Sequence, residues 1–478
     1  MLNAASLRIF EGVRSALAVP AWLGLCIGLW AQASSFPTGV VIPKVECVAD
    51  SSQSYALYLP LNYSATRKWP ILYMFDPAAR GQVAVETAQA AAEKFGYIVV
   101  ASNNSRNGLQ GGSSEAMLAV WRDTHARFPV DERRRYSAGM SGGARVAAGM
   151  ALGCPDCLAG VISNAAGFPG QAAPPRDMKF AYFAAIGDAD FNYPELAELR
   201  KKLEAAGARY RIRVFEGEHG YAPPEIWMEA LEWMDLQAML SGALPRDPER
   251  VRASLDRQIA RARGLKAMGH VLEAARTYQF IVRDFASLAT VDTVRNELAE
   301  LDKDKSLKRA EHAEADSISE QVQLTQEASQ QMRTISSGEL SPVGFARVRG
   351  VIADLRRKVD SAKDPSGVLV ERRALGGLVV EAFEAGQTSM DEKKHDNALD
   401  YFALAGAGAK HPEWSHYQRA RAYAMKSDKK GMLSELKQAI ALGMRDASAL
   451  DAEEFRAYRE QPQFQALVEE LRARPQQQ

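Results

Sequence analysis

The sequence predicts an α/β fold with a mostly parallel sheet, followed by an all-α region. Between residues 45 and 240, short apolar segments rich in β-branched and aromatic residues alternate with amphipathic segments of helical period. Apolar strands that alternate with helices form a parallel sheet covered on both faces. Beyond residue 240 the strand patterns stop and helical periodicity continues to the end of the chain, which predicts the all-α region.

The predicted sheet contains seven strands, separated by helices. In chain order the strands are SYALYLP from Ser54, WPILYMF from Trp69, YIVVAS from Tyr97, RYSAGM from Arg135, LAGVISNAAG from Leu158, KFAYFAAIG from Lys179 and RYRIRVFEG from Arg209. Helices predicted between them include 82–94, 114–127 and 194–206. Because such sheets bind ligands at the carboxyl ends of their strands, the residues after each strand are the candidates for chemistry.

Composition places the chain among globular proteins of two or three domains. Its 478 residues, 47% apolar and 25% charged, exceed what one hydrophobic core organises. The 59 basic and 59 acidic residues cancel, so the net charge gives no electrostatic case for nucleic-acid binding, which needs a basic stripe, and we expect no nucleic-acid partner. The segment SGALPRDPE predicts a boundary near residue 244. We therefore expect a sheet domain over 34–244, a helical region over 245–377 and helical repeats over 378–478.

Residues 1–33 predict an export signal. Arg8 and Arg14 precede the apolar run ALAVPAWLGLCIGLW, and Ala-Gln-Ala follows it before Ser34. We expect cleavage before Ser34 and a periplasmic or secreted protein, with an uncleaved anchor as the alternative. No later segment is apolar enough to span a membrane.

Two cysteines in CPDC, Cys154 and Cys157, follow a predicted helix and precede a predicted strand. The chain has no thioredoxin-like pattern around them. In an oxidising compartment a local disulfide or unreactive thiols are therefore expected rather than a redox pair.

The sequence around Ser141 predicts a nucleophile. Gly139, Ser141 and Gly143 form G-x-S-x-G, which follows a predicted strand and opens the predicted helix GGARVAAGMAL. Small neighbours let the chain turn sharply there, so that the serine lies above the sheet. By itself the pattern arises often by chance, but its place between a strand and a helix favours a catalytic serine.

A serine needs a base, and the base needs an orienting acid. Of the seven histidines, His125 and His219 alone fall in the predicted sheet domain. His219 lies in the loop EGEHGYAPPE after the last strand and is the predicted base, whereas His125 lies within a helix and is expected to be structural. Asp190, in GDADFNYPE, is the predicted acid, and Asp188 is expected to stabilise its own turn.

Residues 45–240 resemble the α/β-hydrolase superfamily and, within it, exported esterases similar to feruloyl esterases, polyhydroxyalkanoate depolymerases and dienelactone-hydrolase-like enzymes. The segments SYALYLPLNY, WPILYMFDP, DERRRYSAGMSGGAR, GDAD and GEHGYAPPE carry the resemblance. The chain order serine, acid, histidine is also that of this superfamily. The resemblance implies ester hydrolysis through an acyl-enzyme without a metal or organic cofactor.

One departure from these families concerns the oxyanion hole. Where they often have His-Gly, this chain has Asp76 and Pro77, and Pro77 has no N–H to donate. The predicted donors are therefore the backbone N–H of Gly142 and that of Ala78 or Ala79. Only FPGQAAPPRDM separates two strands where these enzymes often carry a lid. We therefore expect an open cleft that suits an ester on a large or polymeric molecule, with a cleft covered by the helical half as the alternative.

The helical half contains residues that recur at a fixed spacing. Gly386, Ala398, Phe402 and Ala405 return 34 residues later as Ala420, Met432, Leu436 and Ala439. This spacing resembles the tetratricopeptide repeat, with a plain helical bundle as the alternative. Ala262, Gly269, Ala274 and Tyr278 resemble an isolated earlier unit. Repeats of this kind offer a concave face to a protein partner.

These features predict an exported serine esterase fused to helical repeats. An alternative function comes from a different class of protein: an interaction scaffold whose repeats bind a partner and whose hydrolase domain is weakly active or inactive.

Overall fold

The computed structural model of the protein describes residues 36–474, apart from 109–111, 336 and 338–340. The predicted export signal lies outside the described residues. The chain forms two compact units. The first contains the sheet and the helices up to Ala315, and the second contains the described chain from Asp316 onward together with Gly108 and the short segment 189–191.

The first unit is built on an eight-stranded sheet. Its strands are β1 (Val41–Glu46), β2 (Ser54–Tyr58), β3 (Trp69–Phe75), β4 (Ile98–Ser102), β5 (Val130–Met140), β6 (Gly160–Asn164), β7 (Ala181–Gly187) and β8 (Tyr210–Phe215). Their order is β1-β2-β4-β3-β5-β6-β7-β8, and β2 is antiparallel to both of its neighbours while β3 to β8 are parallel. This is the strand order of an α/β-hydrolase, so the predicted fold class is confirmed.

All seven predicted strands are present, and β1 is an eighth that the sequence analysis did not predict. It lies at the edge of the sheet and pairs with β2 alone. Its residues are mostly exposed or half-buried, and Pro43 lies where its register with β2 shifts, between Ile42 and Val45. An edge strand tolerates proline and needs no continuous apolar run, so it lacks the pattern that revealed the others.

Five helices cover the sheet: α1 (Gly81–Phe95), α2 (Ser113–Arg127), α3 (Gly142–Gly153), α4 (Tyr193–Ala205) and α5 (Pro224–Leu240). The helices predicted over 82–94, 114–127 and 194–206 correspond to α1, α2 and α4 within one residue at each end. Cys154 and Cys157, just after α3, form a disulfide. The free Cys47 is buried.

Further helices belong to the first unit and share its core. They are α6 (Pro248–Ala267), α7 (Val271–Phe285), α8 (Asp292–Leu301) and the first part of α9 (Lys305–Arg333). One hydrophobic cluster contains Trp227 and Trp233 of α5 together with residues of these helices. Asp284 of α7 also accepts hydrogen bonds from Arg211 of β8 and from the Trp233 indole, both at 2.8 Å. The boundary predicted near residue 244 therefore lies inside this unit.

The second unit continues with α10 (Pro342–Ser361), α11 (Leu369–Asp391), α12 (His395–Gly408), α13 (Glu413–Met425), α14 (Lys429–Leu442) and α15 (Pro462–Ala473). Helices α11 and α12 form one hairpin, and α13 and α14 form the next. All eight residues of the predicted 34-residue repeat are buried in these hairpins. Lys393 and Ser427, in corresponding turns, have φ values of 61° and 59°. Their identification as tetratricopeptide repeats stays a prediction.

Candidate active site

Ser141 occupies the turn between β5 and α3 in a backbone conformation that few residues adopt. Its φ is 53° and its ψ is −121°, and a non-glycine residue held in such a region costs about 1–3 kcal/mol. The Ser141 N–H donates to Asn164 O at 2.8 Å, which anchors the turn to the end of β6. Strained residues of this kind are concentrated at functional sites.

The two glycines that flank Ser141 are required by close packing. A Cβ on Gly139 would lie 2.3 Å from the carbonyl carbon of Gly143, and a Cβ on Gly143 would lie 2.0 Å from Phe75 O. Neither position has room for any side chain. The G-x-S-x-G spacing is therefore the steric condition for turning the chain from β5 into α3 beside the end of β3.

Gly142 begins α3, and its N–H is among the amides that an α-helix leaves without an intrahelical partner. The side chain of Asn107 lies against it, because a Cβ on Gly142 would be 1.8 Å from Asn107 Oδ1 and 2.9 Å from Nδ2. The backbone N–H of Asn107 donates to Pro77 O at 2.8 Å. A side-chain amide at this position can donate to a bound carbonyl. No pattern in the sequence had pointed to Asn107.

His219 lies half-buried in the loop between β8 and α5, and the residues around it are held at several points. On its amino-terminal side, the Gly217 N–H donates to Asp188 Oδ1 at 3.0 Å. On its carboxyl-terminal side, Gly220 O accepts from Asn164 Nδ2 at 3.0 Å and the Ala222 N–H donates to Asn164 Oδ1 at 2.5 Å. The loop is thus tied to the ends of β6 and β7.

The two acid candidates follow β7. Asp190, three residues beyond the end of the strand, has no exposed surface, and a buried carboxylate needs a partner that stabilises its charge. Asp188 is half-buried and accepts from the Gly217 N–H of the neighbouring loop. The expectation that Asp188 stabilises its own turn stays a prediction, and its bond to Gly217 holds the loop that carries His219.

Asp76 is fully buried and organises the turn after β3. Its Oδ1 accepts from the Ala78 N–H at 2.8 Å, and its backbone oxygen accepts from the Ala79 N–H at 3.2 Å. Both amides that were predicted as second oxyanion donors are therefore engaged within this turn. Ala79 has a φ of 59°, so the turn is also strained.

The Asp76 carboxylate has two further partners. Arg80 donates to it from Nε at 3.0 Å and from Nη2 at 2.9 Å, and the Tyr221 hydroxyl donates to Oδ2 at 3.1 Å. Burial raises the pKa of Tyr221 well above its ordinary value, and the adjacent Asp76 charge raises it further. Tyr221 therefore stays protonated and links the His219 loop to the turn after β3.

His125 lies on α2, packed against two aromatic rings. Its ring stacks on Tyr73 and lies 4.3 Å from the Trp121 ring, measured between centroids. Its Nδ1 is 2.8 Å from Trp121 O, a distance at which it donates to that carbonyl. Burial lowers the pKa of His125 below its ordinary value. These contacts agree with the expectation that His125 is structural.

In the described part of the chain, no three His, Cys, Asp or Glu side chains are grouped as a metal site would require. No described helix has both the length and the hydropathy of a membrane span.

The site also contains polar residues at or after strand ends that were not predicted from the sequence. Asn164 is the last residue of β6, and Asn107 and Tyr221 lie in loops that follow strands. The signal available in the sequence was a polar residue directly after a buried apolar run, as in VISN. Which neighbouring loop each side chain reaches depends on the strand order, and that order is not written in the sequence.

Comparisons with known proteins give matches among solved structures only. No protein-family model and no curated protein matches the sequence. A ferulic acid esterase structure is 18% identical, with 40% of this chain and 94% of that chain covered and a TM-score of 0.32. An S-formylglutathione hydrolase from Staphylococcus aureus is 16% identical, with coverages of 38% and 90% and a TM-score of 0.32.

A third solved structure is a feruloyl esterase module from Clostridium thermocellum complexed with sinapinate. It is 14% identical, with coverages of 39% and 85% and a TM-score of 0.31. Likenesses at these levels assign no role to any individual residue of this chain.

Proposed function

We propose that the protein is a serine hydrolase that cleaves carboxylic esters through an acyl-enzyme, with Ser141 as nucleophile, His219 as base and Asp190 as acid. The observation that carries the proposal is the strained turn at Ser141, which two glycines without space for a side chain make possible. A fold retains such strain where the turn presents a reactive group. The anchoring of the His219 loop to Asn164, which also binds the Ser141 N–H, supports the assignment of the base.

In the proposed reaction, Ser141 Oγ attacks the ester carbonyl carbon while His219 accepts the hydroxyl proton. The resulting oxyanion accepts a hydrogen bond from the Gly142 N–H. His219 then gives its proton to the leaving alcohol as the carbon–oxygen bond breaks, which leaves the acyl group on Ser141. Water attacks this acyl-enzyme in the same way and releases the acid. Asp190 orients the imidazole and stabilises its charged form.

The second oxyanion donor remains Ala78 or Ala79 in this proposal. Each N–H would have to exchange its present acceptor in Asp76 for the oxyanion, since both are engaged within the turn. The present acceptor is a carboxylate oxygen for Ala78 and a neutral backbone carbonyl oxygen for Ala79. The need for this exchange makes the proposed site depend on Asp76.

We propose in addition that the protein is exported and acts on an ester carried by a large or polymeric molecule. The Cys154–Cys157 disulfide supports export, because disulfides persist in oxidising compartments. The short connection between β6 and β7, residues 165–180, supports a site without an inserted lid domain. The helical hairpins of the second unit are proposed to bind a protein partner.

The test is labelling of the full chain by a fluorophosphonate, together with hydrolysis of chromogenic esters of increasing acyl length and of a feruloyl ester. Ser141→Ala should abolish labelling and turnover while thermal unfolding stays close to that of the wild type. His219→Ala should lower turnover by about 10⁴-fold or more, because no other base takes the proton. His125→Ala is the matched control and should keep turnover, although it loses some stability.

Two results would contradict the proposal. Equal turnover of the two histidine variants would show that His219 is not the base. A folded wild-type protein that neither reacts with the fluorophosphonate nor hydrolyses any ester would favour the alternative function, a scaffold in which the helical repeats do the work.

A further inference from the structure

Asn164, at the carboxyl end of β6, makes a two-point clamp on the loop that carries His219. Its Nδ2 donates to Gly220 O at 3.0 Å, and its Oδ1 accepts from the Ala222 N–H at 2.5 Å. Gly220 directly follows His219. The side chain is only 1% exposed, so water does not compete for these bonds, and each is strong in the low dielectric of the interior.

The backbone of the same residue holds the nucleophile turn. Asn164 O accepts from the Ser141 N–H at 2.8 Å. One residue therefore joins the turn of the proposed nucleophile to the loop of the proposed base. The strand pairing of β5 with β6, which aligns Met140 with Asn164, fixes the height of this junction in the sheet.

The backbone after Asn164 is also fixed. Ala165 has a φ of 62°, and its N–H donates to Ala185 O of β7 at 2.8 Å. A residue followed by a strained and hydrogen-bonded neighbour has little freedom to reorient. The clamp is thus built into the sheet, whereas the loop that it holds has no regular secondary structure.

We propose that Asn164 is a positioning residue that sets the distance and direction between the His219 imidazole and Ser141 Oγ. The inference rests on the proposed function, because it assigns Asn164 to the same reaction. Proton transfer requires the base within hydrogen-bond reach of the hydroxyl. A displacement of about 1 Å in such a pair costs about a hundredfold in rate. Loss of the clamp should therefore affect the chemical step rather than substrate binding.

Asn104 provides a matched control. Its Oδ1 accepts from the Ser54 N–H at 2.9 Å, and its Nδ2 donates to Ser52 O at 3.0 Å. Asn104 thus makes the same pair of hydrogen bonds as Asn164, to two residues that are two positions apart. It lies in the same unit, but its bonds hold the start of β2 and the residues before it. A loss of stability from removing the two hydrogen bonds will appear in both asparagine variants. A loss of reaction rate will appear only in the Asn164 variant.

The experiment compares Asn164→Ala with Asn104→Ala in the full chain. The active sites are titrated with a fluorophosphonate, and kcat and KM for a short chromogenic ester are given per titrated site. Asn164→Ala should lower kcat and the rate constant of labelling by about a hundredfold with KM nearly unchanged. Asn104→Ala should keep both rates within about threefold of the wild type and, because Asn104 is only half-buried, should lose less thermal stability than Asn164→Ala.

Asn164→Asp is the second variant, for the case in which Asn164→Ala does not fold. Its carboxylate still accepts from the Ala222 N–H but cannot donate to Gly220 O, so kcat should fall by about tenfold, and Asn104→Asp should not show this loss. Titration separates positioning from partial unfolding, because unfolding lowers the number of titrated sites and not the rate at each of them.

Two outcomes overturn the inference. If the Asn164 variants keep the kcat and labelling rate of the Asn104 variants in a protein whose wild type is active, Asn164 has no positioning role and the proposed function stands. If the wild type itself shows neither labelling nor turnover, the proposed function fails, and the role of Asn164 fails with it.

Discussion

At the scale of single residues, Asp188 and Asp190 are separated by one residue and differ in surroundings. Asp190 has no exposed surface, and Asp188 is half-buried with the Gly217 N–H as a partner. Asp190→Asn should lower kcat by about 10⁴-fold, because the imidazole loses its orienting charge. Asp188→Asn should cost less than about tenfold, since an amide oxygen can still accept from Gly217. Steady-state kinetics with a chromogenic ester measures both.

The reverse ranking of these two variants would assign the acid to Asp188. Thermal unfolding of each variant accompanies the kinetics, because a loss of activity that follows a loss of folded protein says nothing about the acid. The comparison is direct because both substitutions replace a carboxylate by an amide of the same shape.

At the scale of elements, the connection from β5 to α3 should tolerate no added carbon atom at Gly143. The nearest atom to a Cβ there is Phe75 O, at 2.0 Å, and it is backbone that cannot move aside. Gly143→Ala should therefore lower stability by about 1–3 kcal/mol and should lower turnover further by displacing Ser141. Chemical denaturation and ester hydrolysis measure the two effects.

Gly264→Ala is the control for this prediction. Gly264 lies inside α6, and a Cβ there would meet no atom within 4 Å. Alanine favours a helix over glycine by up to about 1 kcal/mol, so this variant should keep wild-type turnover and gain slightly in stability. Wild-type stability in Gly143→Ala would show that the turn opens more easily than its packing indicates.

At the scale of the whole molecule, the residue at which the chain is shortened should decide whether the sheet domain still folds stably. A chain ending at Ala315 keeps the hydrophobic cluster that joins α5 to α6, α7 and α8. A chain ending at Leu244 uncovers that cluster and removes Asp284, one of the two carboxylates that pair with Arg211. Because apolar surface is returned to water and a charge pair is lost, the shorter chain should unfold at a clearly lower temperature or be insoluble.

Thermal unfolding followed by tryptophan fluorescence distinguishes the two shortened chains, because Trp233 loses its bond to Asp284 in the shorter one. The segment 189–191 belongs to the second unit, where Phe191 O accepts from Gln321 Nε2 at 2.8 Å. The longer of the two shortened chains lacks Gln321, so its unfolding temperature also shows whether this segment is stable without that bond. Equal stability of the two chains would show that α6 to α8 are dispensable for the sheet domain.

The sequence by itself determined the fold class, seven of the eight strands and the position of the Ser141 turn. Each of these depends on local chemistry: a buried parallel strand must be continuously apolar, and a chain that turns sharply beside another strand must have glycine there. The residues that recur 34 positions apart in α11 to α14 were also visible in the sequence. Helices that pack in a repeating way need small residues where they cross and larger apolar residues between the crossings. The burial of all eight residues agrees with that spacing.

Only the tertiary structure decided which loops meet and which residues share a core. The clamp of Asn164 on Gly220 and Ala222 joins residues 56 and 58 positions apart, and the engagement of the Ala78 N–H by Asp76 depends on one side-chain conformation. The place of α6 to α8 beside the sheet follows from long-range packing and buried charge pairs. A sequence pattern records which residues must be buried, but it does not record against which partner, because many partners remove the same surface from water.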